Sequence, residues 1–295
     1  MRATADIVNL TIRRIEQRLG KTLEIPPLSP TAQKILQLRS QPDIHVDQLT
    51  AIIESDPALA AQVMSWAASP LYATEVRICS IEDAIVRALG FDLVMNLALG
   101  LALGKKLILP SELQQANINH WKHALYSATL IEGLVRQMPA ASRPEPGLAY
   151  LAGLLHNFGN LLLAYLFPHY FQLLQKQLDH NPQQSPQEVE MELLGMTRDD
   201  ICVSLLHLWR MPEELTTAIA QQHNPNYSGP FLTYCRLLQL ARLLLTEVNG
   251  ASLADDQLSR LCNDLQLGPS QARHALDRVM AAEQALRLLS EQFTH

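Results

Sequence analysis

Hydrophobic residues recur at helical spacing along most of the chain. Ile7, Leu10, Ile15 and Leu19 outline a first amphipathic helix that ends at Gly20. A proline-rich segment follows, and then three further sets of apolar positions at helical spacing, within residues 35–38, 46–53 and 59–66. The pattern therefore begins with short helices, and only residues 75–79 show a hint of strand-like alternation.

Signals for helix ends punctuate the rest of the chain. Four segments place a Ser or Thr three residues before an acidic residue, as helix starts do: Ser80–Asp83, Ser185–Glu188, Thr197–Asp200 and Ser252–Asp255. Four glycines stand where helices should end: Gly90, Gly195, Gly250 and Gly268. These signals predict an all-α protein of about a dozen helices with no significant sheet.

The most apolar segment, Leu148–Phe167, is long enough to cross a bilayer. His156, Asn157 and Asn160 stand in its middle, and such polar groups are costly in lipid. We therefore expect a buried pair of helices interrupted near Gly159.

Composition narrows the class of protein. The 295 residues include 54 leucines but only 5% aromatic residues, which favours helix over strand. The net charge of −6 argues against DNA or an anionic membrane as the main partner. The four cysteines have no CxxC spacing, so we expect reduced and mostly buried thiols in a cytoplasmic protein. The N-terminus lacks the apolar core of a signal peptide.

Histidines are the candidates for chemistry. His120 and His123 share roughly one helix face, although a surface pair is the simpler interpretation. His156 and Asn157 stand among leucines, where unpaired polar groups would cost about 1–3 kcal/mol each. These residues predict a polar pocket in the core.

Several segments of the sequence resemble those of a known family. Residues 153–170, GLLHNFGNLLLAYLFPHY, are similar to the signature of the HD superfamily, and more narrowly to the HDOD domains of bacterial signalling proteins. Other segments match that family in order across about residues 23–250. Six residues of these segments are expected to have structural roles: Pro27, Asp56, Pro57, Trp121, Trp209 and Pro212. The resemblance implies a compact bundle like that of HD domains, with an N-terminal helical lobe.

The departures from the HD pattern concern the metal. Catalytic HD phosphohydrolases hold a metal with a His, a His-Asp pair and a later Asp. His123 and His156 match the first two positions, but Asn157 replaces the first Asp and Arg242 stands where the second is expected. Two neutral imidazoles beside an arginine should repel a divalent ion, so we expect no metal, no cofactor and no catalytic residue.

Two further positions depart from the family. Arg198 replaces a supporting histidine, and His223 is the one histidine left at the family's His-His corner. The predicted remnant pocket thus comprises His123, His156, Asn157, His223 and Arg242, either as a hydrogen-bond network that specifies the fold or as an anion sensor. A rearranged metal site using Asp199, Asp200 or Glu190 remains an alternative.

The predicted organisation has three parts. Residues 1–22 form an amphipathic helix, residues 23–250 form the HDOD domain with lobes at about 23–110 and 111–250, and residues 251–295 form helices that pack on it. The amphipathic stretches Ile7–Leu19 and Ala275–Phe293 are expected to pack on the body, an interface role being the alternative.

The resemblance implies a non-catalytic bacterial regulatory module that acts through other proteins. Its expected partners are response regulators, chemotaxis proteins or components of cyclic-dinucleotide pathways, with a homodimer as a further option and neither DNA nor membrane as a target. The first alternative is a divergent metal-dependent phosphohydrolase acting on a nucleotide or cyclic dinucleotide. The second is a DNA-associated regulator with a helix-turn-helix, which the net charge disfavours.

Overall fold

The computed structural model describes residues 27–41, 43–72, 77–104, 107, 109–181, 183–248 and 255–293. Every regular element within these ranges is helical, which confirms the all-α class. In chain order the α-helices are α1 (Pro30–Arg39), α2 (Val46–Glu54), α3 (Pro57–Ala67), α4 (Ile81–Asp83), α5 (Phe91–Gly104), α6 (Gln114–Gln137), α7 (Pro146–Leu155), α8 (Phe158–Leu166), α9 (Pro168–His180), α10 (Pro186–Leu194), α11 (Arg198–Leu208), α12 (Glu213–Gln221), α13 (Leu232–Val248), α14 (Asp255–Asp264), α15 (Pro269–Ala281) and α16 (Glu283–Gln292). A π-helical turn, Ala84–Leu89, continues α4, and a 3-10 turn, Ser111–Leu113, precedes α6.

Two of the predicted helix starts form as capping boxes, whereas at Ser80 the hydroxyl alone caps, accepting from the Asp83 amide at 3.0 Å. The Ser185 hydroxyl accepts from the Glu188 amide at 3.2 Å, while the Glu188 carboxylate accepts from the Ser185 amide at 3.0 Å. Thr197 and Asp200 make the same reciprocal pair at the start of α11. Between the two boxes, Gly195 ends α10 with a φ of 73°, a left-handed conformation that glycine adopts without strain. Local chemistry therefore sets the turn that orients α11.

Some predicted elements fall outside the described residues. These are the Ile7–Leu19 helix, the Ser252 start and the Gly250 stop. Of the strand-like stretch, residues 75 and 76 lie outside as well, and Arg77–Cys79 has no regular structure. The C-terminal amphipathic stretch is divided at Ala282 into α15 and α16.

Helix α6 is the centre of the packing. It contacts α7, α13, α15 and α16, while α7 also packs on α5. Much of α6 is buried, including Trp121, which is 1% exposed. The prediction of mostly buried thiols is confirmed, because Cys202, Cys235 and Cys262 are buried and Cys79 is exposed.

The apolar segment Pro146–Leu166 forms two core helices. It has the length and composition of a membrane span, but 83% of its most apolar window is buried inside the protein. The interruption lies at His156 and Asn157, before the predicted position, and Gly159 is inside α8. The His156 ring provides the reason, because its Nδ1 bonds the Gly153 carbonyl at 2.7 Å and competes with the helical backbone.

Candidate functional site

The predicted pocket residues come from four parts of the fold. His123 lies on α6, His156 and Asn157 form the junction between α7 and α8, His223 follows α12, and Arg242 lies on α13. Packing of α6 on α7, α8 and α13 brings these elements together. A further residue, which the resemblance did not place in the pocket, connects several of them: Asp199 in the first turn of α11.

His156 is held by its ring and by its backbone. Because the Gly153 carbonyl can only accept, the Nδ1 atom of His156 donates that 2.7 Å bond and Nε2 is left as the acceptor of the neutral ring. Gln222 donates from Nε2 to the His156 carbonyl oxygen at 2.9 Å. Burial lowers the pKa of His156 to about 4, against the Gly153 bond and the Asp199 carboxylate, which raise it. The ring is therefore neutral at physiological pH.

Asp199 is the acid of the site. Its Oδ2 atom lies 3.2 Å from Nε2 of His223, and its side chain is 12% exposed against 35% for the histidine. Arg242 is exposed, and partial desolvation lowers the pKa of its guanidinium while the Asp199 carboxylate raises it. Asp199 therefore acts on His156, His223 and Arg242 together.

A buried ion pair supports α11. Glu190 is fully buried, and its carboxylate accepts from the Arg198 backbone amide at 2.9 Å and from Arg198 Nε. Arg198 Nη1 donates to Asn160 Oδ1 at 2.8 Å, whereas Nη2 is buried without a partner. Burial raises the pKa of Glu190, and the Arg198 guanidinium opposes that rise. The pair fixes α10 and α8 against the start of α11.

His120 contradicts the expectation of a surface pair. Its side chain is 3% exposed, and neither ring nitrogen has a partner, whereas His123, one turn later, is exposed. Burial lowers the pKa of His120 to about 3, and His156, His123 and Arg198 lower it further. Because α6 packs on α7 and α8, the helix face that carries His120 lies in the interior. The spacing of three residues between His120 and His123 does not tell which face of the helix is buried.

The donor set does not fit a divalent metal ion. Among the residues that the structure describes, no three His, Cys, Asp or Glu side chains are arranged to hold one. Asp199 is already paired with His223, and the neighbouring Arg242 is a cation. Asn157 precedes α8 without capping it, and an amide supplies no charge to a cation.

The structure places the six residues expected to have structural roles at or before helix starts and in aromatic contacts of the core. Asp56 caps α3 by accepting from the Leu59 amide at 3.3 Å. Trp121 stacks on Phe293 with ring centroids 4.3 Å apart, and Trp209 lies 6.2 Å from Phe158. The three prolines stand before or at helix starts: Pro27 before α1, Pro57 at the first position of α3 and Pro212 before α12.

Sequence reasoning missed three parts of this site. Asp199 and Glu190 entered only as rival metal ligands, and Gln222 was given no role. The capping box at Thr197 could have placed Asp199 in the first turn of α11, but not its distance from His223. That distance depends on how α11 and α12 pack.

Comparison with known proteins agrees with the fold and the motifs. The sequence profile of the HDOD domain matches residues 25–225. A protein of Marinobacter aquaeolei VT8, provisionally named a signal transduction protein, has a crystal structure with 41% identity and a TM-score of 0.83, covering 99% of this chain and 66% of that one. An HDOD domain protein of unknown function from Geobacter sulfurreducens is 19% identical with a TM-score of 0.74, covering 96% of this chain and 99% of that one.

A curated relative is much longer. An uncharacterized protein of Treponema pallidum is 23% identical over 204 residues, which are 68% of this chain. The match spans 38% of that relative's length, so the chain corresponds to little more than a third of it. The profile match covers most of this chain, and the matched part contains α1 to α12. The chain belongs to the HDOD domain family.

Proposed function

We propose that this chain is a non-catalytic regulatory module of bacterial signal transduction, which acts through protein–protein contacts and binds a small anion in the remnant pocket. The observation that carries the proposal is Arg242, an exposed cation on which Asp199 acts, in a site where burial keeps the His156 ring neutral and Asn157 supplies an uncharged amide. The family and the name of the Marinobacter aquaeolei relative support a signalling role.

The chemistry of the pocket favours an anion that binds more tightly in acid. At neutral pH the Arg242 guanidinium supplies the positive charge, because burial keeps His156 neutral. An anion placed between the two would favour the protonated His156 ring, so binding would be accompanied by proton uptake. A carboxylate or phosphate suits the planar guanidinium, which can donate two parallel hydrogen bonds.

Thermal shift assays with inorganic phosphate, pyrophosphate and a cyclic dinucleotide test the sensing function. We expect at least one of them to raise the Tm, and the rise to increase between pH 7.5 and pH 5.5. Arg242→Ala and His156→Ala should abolish the shift, whereas Arg260→Ala, at an exposed arginine of α14, should retain it. If none of the three ligands raises the Tm, the pocket is structural only and the sensing function is wrong.

Affinity capture with the tagged chain tests which proteins bind it. Tagged full-length chain should retain a response regulator, a chemotaxis protein or a cyclic-dinucleotide enzyme from the cytoplasm of its native bacterium. Partner binding should survive extraction without detergent and should not depend on added DNA. Salt-sensitive DNA binding by the purified chain, or recovery in the membrane fraction alone, would contradict the proposal.

A second function is favoured by one feature of His156. Its Nε2 atom is the free acceptor of a neutral ring beside His123, as a metal ligand would be. Two proteins of Shewanella amazonensis that share the fold, at 20% and 17% identity, are provisionally named phosphohydrolases. A stoichiometric metal in the purified chain together with hydrolysis of phosphoesters would establish this alternative. A preparation that binds no added Mn²⁺ and leaves phosphoesters intact would remove it.

A further inference from the structure

The loop between α12 and α13, residues 222–231, makes two contacts in the remnant pocket. Gln222 Nε2 donates to the His156 carbonyl oxygen at 2.9 Å. The next residue, His223, places its Nε2 atom 3.2 Å from Asp199 Oδ2. Because Gln222 and His223 are adjacent in the chain, the backbone of this loop decides whether His223 reaches Asp199.

Apolar burial does not hold this loop in place. Gln222 is buried, but each of residues 223–231 is exposed or half-buried. The loop also ends at Phe231 with a φ of 59°, a left-handed conformation that is unfavourable for an aromatic residue. Such a conformation persists only where surrounding groups hold the backbone. Contacts from outside the loop must therefore fix it.

Two buried polar side chains of α13 provide those contacts. Gln239, which is 5% exposed, donates from Nε2 to the carbonyl oxygens of Asn224 at 2.9 Å and Gln221 at 3.4 Å. Arg236, which is 9% exposed, donates from Nη2 to the Tyr227 carbonyl oxygen at 3.0 Å. Its Nη1 atom donates to Gln239 Oε1 at 2.7 Å. Since a guanidinium can only donate, this bond orients the Gln239 amide with Nε2 toward the loop.

The third nitrogen of the same guanidinium faces α14. Arg236 Nε lies 2.9 Å from Oδ2 of Asp264, the last residue of α14, in an ion pair in which Nε makes no hydrogen bond. The Asp264 side chain is 38% exposed, against 10% for that of Arg236. The HDOD profile match ends at residue 225, within the loop, so Arg236, Gln239 and Asp264 all come from the chain beyond the match.

We infer that Arg236 is a positioning residue of the remnant pocket. It fixes residues 222–227 so that His223 faces Asp199. Its ion pair with Asp264 links this arrangement to α14, so that a change at the surface of α14 reaches the pocket through one side chain.

The position of the loop also affects the anion site, a step that rests on the proposed function. Asp199 faces the His223 ring and acts on the charge of Arg242. If His223 leaves this contact, the carboxylate acts on Arg242 alone. Arg242 is the cation to which the anion binds, so the affinity for an anion falls.

Hydrogen exchange of the full chain, followed by mass spectrometry without added ligand, tests the position of the loop. Arg236→Met removes every donor of the guanidinium, so we expect roughly tenfold faster exchange in peptides covering residues 222–227, with those of α7 unchanged. Arg273→Met is the matched control, since Arg273 pairs with Glu247 near the other end of α13, and it should leave the rate unchanged. Unchanged exchange of residues 222–227 in Arg236→Met, or an equal rise in every peptide, overturns the positioning role.

Asp264→Ala tests the link to α14 at an exposed position, where the fold tolerates substitution better. The change removes the counter-charge of Arg236, so we expect about threefold faster exchange of residues 222–227. Asn263→Ala changes the preceding exposed residue of α14 and should have no effect. If the two variants exchange alike in this segment, the link between α14 and the loop is wrong.

Calorimetric titration with phosphate separates this inference from the proposed function. Where phosphate binds the natural chain, Arg236→Met should bind it about fivefold more weakly, and Arg273→Met should bind it equally well. Unchanged affinity together with a faster-exchanging loop would overturn the effect on the anion site. If phosphate does not bind the natural chain, the sensing function is wrong, and hydrogen exchange alone decides whether Arg236 positions the loop.

Discussion

His223 and Asp199 meet in the candidate site, with Nε2 of the histidine 3.2 Å from Oδ2 of the aspartate. The contact ties the segment after α12 to the first turn of α11. The same carboxylate also acts on the charge of Arg242. One acidic residue therefore faces both the His223 ring and the Arg242 guanidinium, in a pocket where the sequence indicated that acids had been lost.

Asp199→Asn should make the pocket a better anion site. Removing the carboxylate leaves the charge of Arg242 uncompensated, so phosphate affinity should rise by about fivefold, equivalent to roughly 1 kcal/mol. The free energy of unfolding should fall by less than about 1 kcal/mol, because a polar contact that solvent reaches contributes little even when both groups are charged. Calorimetric titration with phosphate and urea denaturation measure the two effects.

Asp200→Asn is the neighbouring control for that change. Asp200 is exposed in the same turn, and asparagine can still accept a hydrogen bond from Thr197. Phosphate affinity should therefore stay the same. A fall in affinity for Asp199→Asn would contradict the view that Arg242 provides the anion site.

The sequence was sufficient for the class of fold and for many element ends. Leucines at helical spacing and the capping boxes at Ser185 and Thr197 depend on neighbouring residues only, so the helices they predict are found in the folded chain. The sequence also marked His156 and Asn157 as polar residues within the apolar segment, although it placed the break near Gly159. These features depend on residues close together in the chain.

The rest of the site depends on packing between distant segments. His120 is buried because α6 is covered by α7 and α8, and His223 reaches Asp199 because of how α11 and α12 meet. The Glu190–Arg198 pair spans only eight residues of the chain, but it forms because the turn at Gly195 brings the start of α11 back against α10. Spacing along the chain cannot supply such distances.

Glu190→Gln should be strongly destabilising. Glu190 is fully buried, so the change leaves the Arg198 guanidinium without its counter-charge inside the protein. Removing one partner of a buried ion pair costs about 3–5 kcal/mol. Urea denaturation should show a loss of that size, whereas Glu54→Gln at an exposed position should change stability by less than about 0.5 kcal/mol.

A double variant tests whether the loss of stability comes from the unpaired charge of Arg198. Glu190→Leu combined with Arg198→Met removes both charges, and apolar replacement of a buried pair is often close to neutral. The double variant should therefore be more stable than Glu190→Leu alone. If it is less stable than that single variant, the pair contributes in some way other than mutual neutralisation.

Lowering the pH should lower the stability of the protein, because its buried histidines bind protons more readily in the unfolded chain. The pKa values of His156 and His120 are lowered from 6.5 to about 4 and about 3, so the unfolded chain binds protons that the native state does not. Their contribution to stability is complete above pH 6.5 and is lost as the pH falls toward the folded values. Each histidine adds a slope of up to about 1.4 kcal/mol per pH unit within its window.

His120→Leu should flatten part of that dependence. Between pH 7 and pH 5 the variant should lose about 2 kcal/mol less than the natural chain, as measured by urea denaturation at each pH. His274→Leu changes an exposed histidine of α15 and should leave the slope as it was. An identical slope for His120→Leu and the natural chain would show that the native structure does not lower the pKa of His120.

Gly159→Ala tests the close crossing of α8 and α11. A Cβ atom at residue 159 would lie 2.2 Å from the Arg198 carbonyl oxygen and 3.2 Å from the Cβ atom of Cys202. Because the first contact is with backbone, α11 must shift, and Arg198 and Asp199 must shift with it. We expect a loss of about 2–3 kcal/mol, comparable to overpacking in a core, together with a loss of any phosphate-induced rise in the Tm.

Gly133→Ala is the matched change on α6. Its new Cβ atom would meet the Cβ atom of Ala275 at 3.4 Å, which is an ordinary contact. Alanine in a helix interior is favoured over glycine by about 1 kcal/mol, so this variant should be slightly more stable than the natural chain. If both variants gain stability, then α8 and α11 can separate without cost, and the position of Asp199 is not fixed by their crossing. A loss confined to Gly159→Ala would instead show that the close approach of these two helices fixes the acid of the remnant pocket.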